Sequence, residues 1–232
     1  MSWISFKGVR SDSLPHILVS RMPSHRRASM RHTQYQIKGR DGEFHVNEGY
    51  SNFDIDCALR LFRGNVNDRY AVNQWATGTG KLITSDDPNR AYIASVNDEV
   101  QWERDNTANG LYDIAEIIFS CQPYMVEASD TTETFEESGN LVNAGNAVAY
   151  PTISVYGSGD CSFAIGENEV QLRDVELDVP VILDCENGYV YSSSGGGTTM
   201  VGEFPTIPEG TSFVRIGFGV TKLEIVPHWR WY

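Results

Sequence analysis

The chain has 232 residues and a formal net charge of −13, with 41% hydrophobic and 11% aromatic residues. This hydrophobic content suffices for packed cores and argues against a disordered chain. The acidic balance opposes general nucleic-acid binding, because neutralising phosphates needs clustered Lys and Arg. The length fits two small domains or one large one.

The charge is unevenly distributed along the chain. Residues 1–45 contain eight Lys and Arg and three acids, a net charge of +5, whereas residues 127–187 contain thirteen acids and one base, a net charge of −12. These segments are either two solvated surfaces or complementary surfaces that attract each other between copies. The second interpretation makes four arginines candidates for an interface between copies: Arg21, Arg26, Arg27 and Arg31.

The sequence predicts that the first part of the chain consists mostly of short strands. The basic stretch 21–31 contains Pro23 and is predicted to be a loop or an extended hairpin arm. Alternating runs on both sides of the Gly39-Arg40-Asp41-Gly42 turn predict a β-hairpin. One helix is predicted over residues 66–76, with Asn67 and Asp68 as cap candidates and with Gly78 and Gly80 ending it. Further strands are predicted at residues 3–6, 17–19, 53–59, 81–84, 90–96 and 115–121.

Residues 128–140 are polar and acidic, and this change of composition predicts a domain boundary. It divides the chain into residues 1–137 and residues 138–232. Beyond it, about eight short strands separated by turn residues such as Asn187-Gly188 predict an antiparallel β-sandwich. The predicted fold class is therefore mainly β, with a β-barrel or sandwich-like N-terminal domain that contains one helix and a C-terminal β-sandwich.

The residue patterns that carry catalysis or metal binding are missing from the sequence. The four cysteines contain no Cys-x-x-Cys pair, and the five histidines show no i,i+4 pair. Gly78-Thr79-Gly80-Lys81 resembles the end of a phosphate-binding loop, but Trp75 and Leu82 stand where that motif needs Gly and Ser or Thr. We expect no enzymatic activity, no cofactor and no metal. No apolar run is long enough for a membrane helix, so we expect a soluble chain made in a cytoplasm.

The chain ends on the aromatic and basic segment Trp229-Arg230-Trp231-Tyr232. Alternation along a strand places Trp229 and Trp231 on one face. They either pack on a core as the end of the last strand or stack on a glycan or contact a partner protein. Both interpretations stay open at this point.

Several segments, in order and spacing, resemble the distal tail proteins of phages with long, non-contractile tails, mainly those of Gram-positive hosts. They run nearly from end to end of the chain: Ile37-Lys38-Gly39-Arg40-Asp41-Gly42 with Tyr50, residues 75–82, residues 85–92 with Asp86-Asp87-Pro88-Asn89, residues 118–124, residues 143–146, residues 150–153, Leu183-Asp184-Cys185-Glu186-Asn187-Gly188 with Tyr191, Gly202-Glu203-Phe204-Pro205, and residues 219–225.

The resemblance implies that residues 1–137 form a hexameric ring, with a belt-like hairpin reaching the neighbouring copy. It implies that residues 138–232 form a galectin-like β-sandwich on the outside of that ring. The ring would join the tail tube protein to the tail-tip protein, and the tape measure protein and receptor-binding proteins are further implied partners. The implied location is the tail tip of the virion, after synthesis in the host bacterial cytoplasm. The C-terminal sandwich lacks the long insertion with which some relatives grip receptor-binding proteins.

Two other functions compete with a structural hub of a phage tail. One is a carbohydrate-binding module or adhesin that uses the C-terminal sandwich with Trp229 and Trp231. The other is an enzyme, for example a wall hydrolase, for which neither a nucleophile motif nor a carboxylate pair is evident.

Overall fold

The structure, a computed structural model, describes residues 2–62, 65–105, 112–195 and 198–232. The chain divides into two compact units, of which the first extends to Ala128 and includes Tyr232, and the second is Ser129–Trp231. The ring-forming domain of residues 1–137 and the sandwich domain of residues 138–232 stay predictions.

The first unit is built from strands, one α-helix and one turn of 3-10 helix at Ser11–Ser13. Its helix α1 spans Val66–Trp75. Its strands are β1 (Ile4–Phe6), β2 (Val9–Arg10), β3 (Ile17–Arg21), β4 (Met30–Gln36), β5 (Glu43–Tyr50), β6 (Phe53–Phe62), β7 (Gly78–Thr84), β8 (Asp87–Val96), β9 (Gln101–Asp105) and β10 (Tyr112–Glu127).

Eight of these strands form one curled antiparallel sheet. Its order is β2-β1-β7-β8-β10-β6-β3, and β9 also pairs with β10. The long strand β10 pairs with β6 along one edge and with β9 and then β8 along the other. Its register against β8 shifts between Cys121 and Met125, and such an irregularity bends a strand and increases its twist. Strands β4 and β5 stay outside this sheet and pair only with each other among the described residues.

Side chains that alternate along the strands build the core of the first unit. In β10, Ala115, Ile117 and Phe119 are buried, while Glu116 and Ile118 between them are exposed. This is the period-two pattern of a strand with one face on a core. Phe6 meets Phe119 edge-on with ring centroids 5.2 Å apart, an arrangement that aromatic pairs prefer.

Helix α1 closes one side of this core. Asn65 is its N-cap: the Asn65 side chain accepts from the backbone N–H of Asp68 at 3.3 Å, and the Asp68 carboxylate accepts from the N–H of Asn65 at 2.9 Å. This reciprocal capping box satisfies two amides that the helix itself leaves unpaired. Val72 and Trp75 then face the core and are buried. No described helix is both long and apolar enough to span a membrane.

The second unit is a sandwich of two five-stranded antiparallel sheets, in the orders β11-β20-β13-β16-β17 and β12-β19-β14-β15-β18. Its core consists of inward side chains from both sheets, among them Ile153, Phe163 and Leu223. Its strands are β11 (Glu133–Phe135), β12 (Gly139–Val142), β13 (Thr152–Gly157), β14 (Gly159–Ile165), β15 (Asn168–Val175), β16 (Val181–Asp184), β17 (Tyr189–Ser192), β18 (Thr199–Gly202), β19 (Thr211–Ile216), β20 (Val220–Val226) and β21 (Arg230–Trp231).

The predicted fold class is confirmed: the chain is mainly β, with one α-helix among the described residues and an antiparallel sandwich in its C-terminal part. Five strands lie where the sequence predicts none, namely β2, β9, β11, β12 and β18. All of these except β9 lie at the edge of a sheet. An edge strand exposes one backbone side and more of its side chains to water, so its composition is as polar as that of a linker.

Candidate assembly interface

Strands β4 and β5 form a two-stranded antiparallel ribbon, which we name the arm (residues 30–50). The turn between them contains Gly39 and Gly42, whose φ angles of 83° and 86° lie in the left-handed region that glycine adopts without strain. The predicted hairpin is therefore confirmed, and its strands reach beyond the runs from which it was predicted. A two-stranded ribbon is at best marginally stable by itself in water, so its stability depends on what it packs against.

One face of the arm is apolar and exposed to solvent. Tyr35 lies directly opposite Phe44, and Thr33 lies opposite Val46, so these four side chains share a face. The exposed fractions are 54% for Tyr35, 49% for Phe44 and 49% for Val46. Contiguous exposed apolar side chains of this kind mark surfaces that bind other proteins.

The opposite face of the arm is polar and internally connected. Gln36 donates from Nε2 to Oε1 of Glu43 at 2.6 Å. The imidazole rings of His32 and His45 lie 5.2 Å apart on the same side, next to Gln34. The arm is thus amphipathic, with one face suited to water and the other to a protein surface.

Two of the four candidate interface arginines converge on one carboxylate. Nη2 of Arg21 lies 2.9 Å from Oδ2 of Asp56, and Nη2 of Arg26 lies 3.4 Å from Oδ1 of the same residue. Arg21 also reaches Oε1 of Glu116 at 3.5 Å. These pairs are exposed, and exposed ion pairs contribute about 0–1 kcal/mol to stability.

The other two arginines lie elsewhere. Arg31 is on the arm and donates from Nη2 to the backbone carbonyl of Glu48 at 3.0 Å. The Arg27 guanidinium lies 5.5 Å from the ring centroid of Tyr232. All four arginines are exposed. Their role in a contact between copies stays a prediction.

Trp229 is buried in the core of the second unit, with 4% of its surface exposed, and Trp231 packs against the same core. The two rings thus pack on one core, as the alternation in the sequence predicts. A buried ring has little surface with which to stack on a sugar. A partner or glycan contact through this pair stays a prediction, and the burial of Trp229 gives it no support.

The buried carboxylate Asp113 has a structural role, since it is held in ion pairs with two arginines. Asp113 is buried, and its Oδ2 accepts from Nη2 of Arg69 at 2.7 Å while its Oδ1 accepts from Nε of Arg104 at 3.1 Å. Burial acts to raise the pKa of Asp113, but the hydrogen bonds and charges of the two guanidinium groups outweigh it and hold that pKa below its ordinary value. Asp113 is therefore a carboxylate fixed between two cations.

The cysteines are poor nucleophiles. All four are buried and none is in a disulfide. Burial raises the pKa of Cys57, Cys121 and Cys185 to about 12, which keeps these thiols protonated at neutral pH. Within the described ranges, no three His, Cys, Asp or Glu side chains are grouped so that they could hold a metal ion.

The apolar face of the arm is a candidate interface that the sequence alone does not reveal. Its signal was present in the alternation of Tyr35 against Gln34 and Gln36, and of Phe44 and Val46 against His45. Alternation alone predicts a half-buried strand. Only the pairing of β4 with β5, outside the larger sheet, shows that these side chains have no core to pack on within the described part of the chain.

Comparison with known proteins yields matches in structure but not in sequence. No protein-family model matches the chain, and no curated protein matches it. The crystal structure of the Dit protein of phage SPP1 matches with a TM-score of 0.74, over 97% of this chain and 98% of that chain, at 14% identity. The chain has the fold of a phage distal tail protein. The resemblance drawn from the sequence is therefore confirmed at the level of the fold.

A second solved structure agrees with this assignment of the fold. The baseplate of phage P2 in its activated conformation with calcium matches with a TM-score of 0.52 and 10% identity, over 97% of both chains. The SPP1 protein is described as a paradigm of the hub adsorption apparatus in phages that infect Gram-positive bacteria. Since the identities are low, these comparisons concern the fold.

Proposed function

We propose that the chain is a structural hub protein of a phage tail tip, a distal tail protein without enzymatic activity. Six copies form a ring that connects the tail tube protein to the tail-tip protein and the host-recognition apparatus. The tape measure protein and receptor-binding proteins are further proposed partners, and the virion tail tip is the proposed location. The observation that carries this proposal is the structural match to the SPP1 Dit protein along 97% of the chain.

The arm supports the assembly part of the proposal. Its apolar face exposes Tyr35, Phe44 and Val46, which lose their contact with water if a second copy covers them. Burial of apolar surface stabilises association by about 25 cal/mol per Å² before the costs of ordering are subtracted. A contact in which the arm of one copy lies on a different surface of the next is heterologous, and such contacts give closed rings when the rotation closes.

The test is the oligomeric state of the purified full chain, measured by native mass spectrometry and negative-stain imaging. We expect a six-fold ring. A monodisperse monomer at every protein concentration used would overturn the proposal.

A matched pair of variants locates the contact. Tyr35→Ser with Phe44→Ser removes two rings from the apolar face, and we expect it to abolish the ring. The control is Tyr70→Ser with Phe218→Ser, which removes the same two ring types from other exposed positions. An arm variant that still forms the ring would remove the arm from the interface.

The alternative function, a carbohydrate-binding module or adhesin, rested on Trp229 and Trp231. No described contact favours it, because Trp229 is buried in the sandwich core. Specific retention of a cell-wall glycan by the purified full chain, lost in a Trp231→Ala variant, would restore this alternative.

A further inference from the structure

One sheet of the second unit carries two tyrosine rings that are exposed to solvent. Tyr189 and Tyr191 lie on β17, the edge strand of that sheet, and are 65% and 50% exposed. Val190 between them packs against the core of the unit. Because successive side chains of a strand point to opposite faces, both rings lie on the outer face. Their hydroxyl groups have no hydrogen-bond partner among the described residues.

The neighbouring strands β16 and β13 continue this face with mostly polar side chains. The register of the sheet gives two rows of directly opposite residues: Tyr189, Asp184 and Thr152 in one row, and Tyr191, Ile182 and Ser154 in the next. The residues that alternate with them, such as Leu183 and Ile153, are buried in the core. These six side chains therefore share the outer face, which we name the tyrosine face.

Asp184 is fixed as a hydrogen-bond acceptor beside the rings. Its Oδ2 accepts from Nδ2 of Asn187 at 2.8 Å, and its Oδ1 accepts from the backbone N–H of Asn187 at 3.0 Å. These hydrogen bonds hold the pKa of Asp184 below its ordinary value, so the group is a carboxylate at neutral pH. A carboxylate accepts about four hydrogen bonds, and Asp184 thus keeps capacity for a ligand.

The charge of this sheet disfavours an anionic ligand. Its five strands contain one cation, Lys222, whose Nζ lies 2.8 Å from Oε1 of Glu224. They contain three carboxylates, so their net charge is 1 − 3 = −2: Glu133, Asp184 and Glu224. A phosphate or a sialic acid would be repelled here, because the only Lys or Arg of these strands is already paired.

Aromatic rings beside hydroxyl and carboxylate groups suit a neutral sugar. The C–H groups of a sugar ring carry partial positive charge, and they stack on the negative face of an aromatic ring. The hydroxyls at the rim of the sugar exchange hydrogen bonds with groups such as those of Asp184 and Ser154. A protein partner favours a contiguous apolar patch, whereas Ile182 is the one aliphatic side chain of the tyrosine face.

We infer that the tyrosine face is a binding site for neutral oligosaccharides. Sugar rings stack on Tyr189 and Tyr191, and Asp184 accepts hydrogen bonds from the sugar hydroxyls. The site adds a glycan contact to the proposed hub and does not depend on the ring. It is also distinct from the alternative function above, which uses Trp229 and Trp231.

A glycan array tests this inference with the labelled full chain. The array carries oligomers of glucose, of galactose and of N-acetylglucosamine as neutral probes, and sialylated glycans and poly(glycerol phosphate) as anionic probes. Dense presentation strengthens the retention of a protein that binds each glycan weakly. We expect binding to neutral probes and none to anionic probes.

A pair of variants locates the site. Tyr189→Ala with Tyr191→Ala removes both rings, and we expect the apparent Kd for the best neutral probe to rise at least about tenfold. Tyr70→Ala with Phe218→Ala removes two exposed rings elsewhere and should leave that Kd unchanged. Circular dichroism with thermal unfolding verifies that both variants fold.

The outcomes separate this site from the other functions. Absence of binding to every neutral probe, a preference for poly(glycerol phosphate), or full binding by the Tyr189 and Tyr191 variant would each overturn the inference. Binding that is lost in Trp231→Ala but kept in the tyrosine variant would also overturn it, in favour of the alternative function. Failure of the chain to form a ring counts against the proposed hub and not against the tyrosine face.

Discussion

Asp113 shows how one carboxylate can couple three parts of the first unit. It lies in β10 and holds Arg69 of helix α1 and Arg104 of β9 through hydrogen bonds of 2.7 to 3.1 Å. Trp102 lies beside this cluster, and the Arg69 guanidinium is 5.8 Å from the centroid of its ring. We expect Asp113→Asn to lower the free energy of unfolding by about 1–3 kcal/mol, because it leaves two cations without their shared anion. Urea unfolding at pH 7 measures the loss.

The pH dependence of this effect follows from the pKa of Asp113. Its folded-state pKa lies below the ordinary value, so its stabilisation is fully present above the unfolded pKa of about 3.9 and is lost as pH falls through the folded value. The difference between the unmodified chain and Asp113→Asn should therefore be constant near neutrality and shrink below about pH 4. Asp86→Asn, at an exposed turn, should show neither effect, and a difference that does not shrink as the pH falls below 4 would contradict the assignment.

For a single residue, the sequence predicts the face of the strand on which its side chain lies better than it predicts the residues that the side chain contacts. In a strand, the odd spacing of Asp113 and Glu116 places them on opposite faces, and the structure buries the first and exposes the second. The contacts of Asp113 with Arg69 and Arg104 depend on the docking of α1 and β9, which no local pattern encodes. The same holds for Trp229, since alternation gives its face but not the depth of its burial.

For an element such as helix α1, the sequence predicts the extent better than the residue that caps it. Its extent is predicted well, since Gly78 follows its end, but Asn67 and Asp68 are not its N-cap. Asn65 holds that position, with Asp68 as the third residue of the capping box. Several residues of this stretch have side chains that can cap a helix. The packing of Val72 and Trp75 on the core fixes where the helix begins and therefore which of these residues is the N-cap.

The cap can be tested with two equivalent substitutions. Asn65→Ala removes the side chain that accepts from the N–H groups of Asn67 and Asp68. We expect it to destabilise the first unit by about 1 kcal/mol. Asn67→Ala, two residues later on the exposed side, makes the same chemical change without loss of the cap. Hydrogen exchange of the α1 amides reports the local effect, and equal protection in the two variants would exclude Asn65 as the cap.

Three of the strands that the sequence missed, β9, β11 and β12, share one physical cause. Strand β9 is the charged segment Gln101–Asp105, and β11 and β12 fall in the acidic stretch after residue 128. Their backbones pair with strands that are far away in sequence, β11 with β20 and β12 with β19. Their strand conformation comes from those partners, because their own sequences are mostly polar and offer only single side chains, Trp102, Phe135 and Leu141, to the cores.

For the whole molecule, composition alone predicts one property that bears on assembly, namely the uneven distribution of charge along the chain. Residues 1–45 carry a net +5 within a chain of net −13. The structure adds what composition omits: the arm (residues 30–50) has an apolar face and no net charge, so most of the positive charge lies in residues 1–29, which carry a net +4. Charge contacts and apolar contacts respond to salt in opposite ways, so salt reveals which of them controls the ring.

We expect the ring to weaken as sodium chloride is raised from 0.05 to 1 M. The screening length falls from more than 10 Å at low salt to about 3 Å at 1 M, which reduces the attraction between the exposed basic stretch 21–31 and an acidic neighbour. Burial of Tyr35 and Phe44 is not screened, so the ring should loosen without a change in the fold of its subunits. Mass photometry across the salt series measures the oligomer, and circular dichroism follows the subunits. The variant Lys38→Gln with Arg40→Gln replaces two positively charged side chains with neutral ones, and it should form a weaker ring that depends less on salt. An oligomer of constant size across the series would assign the interface to its apolar contacts.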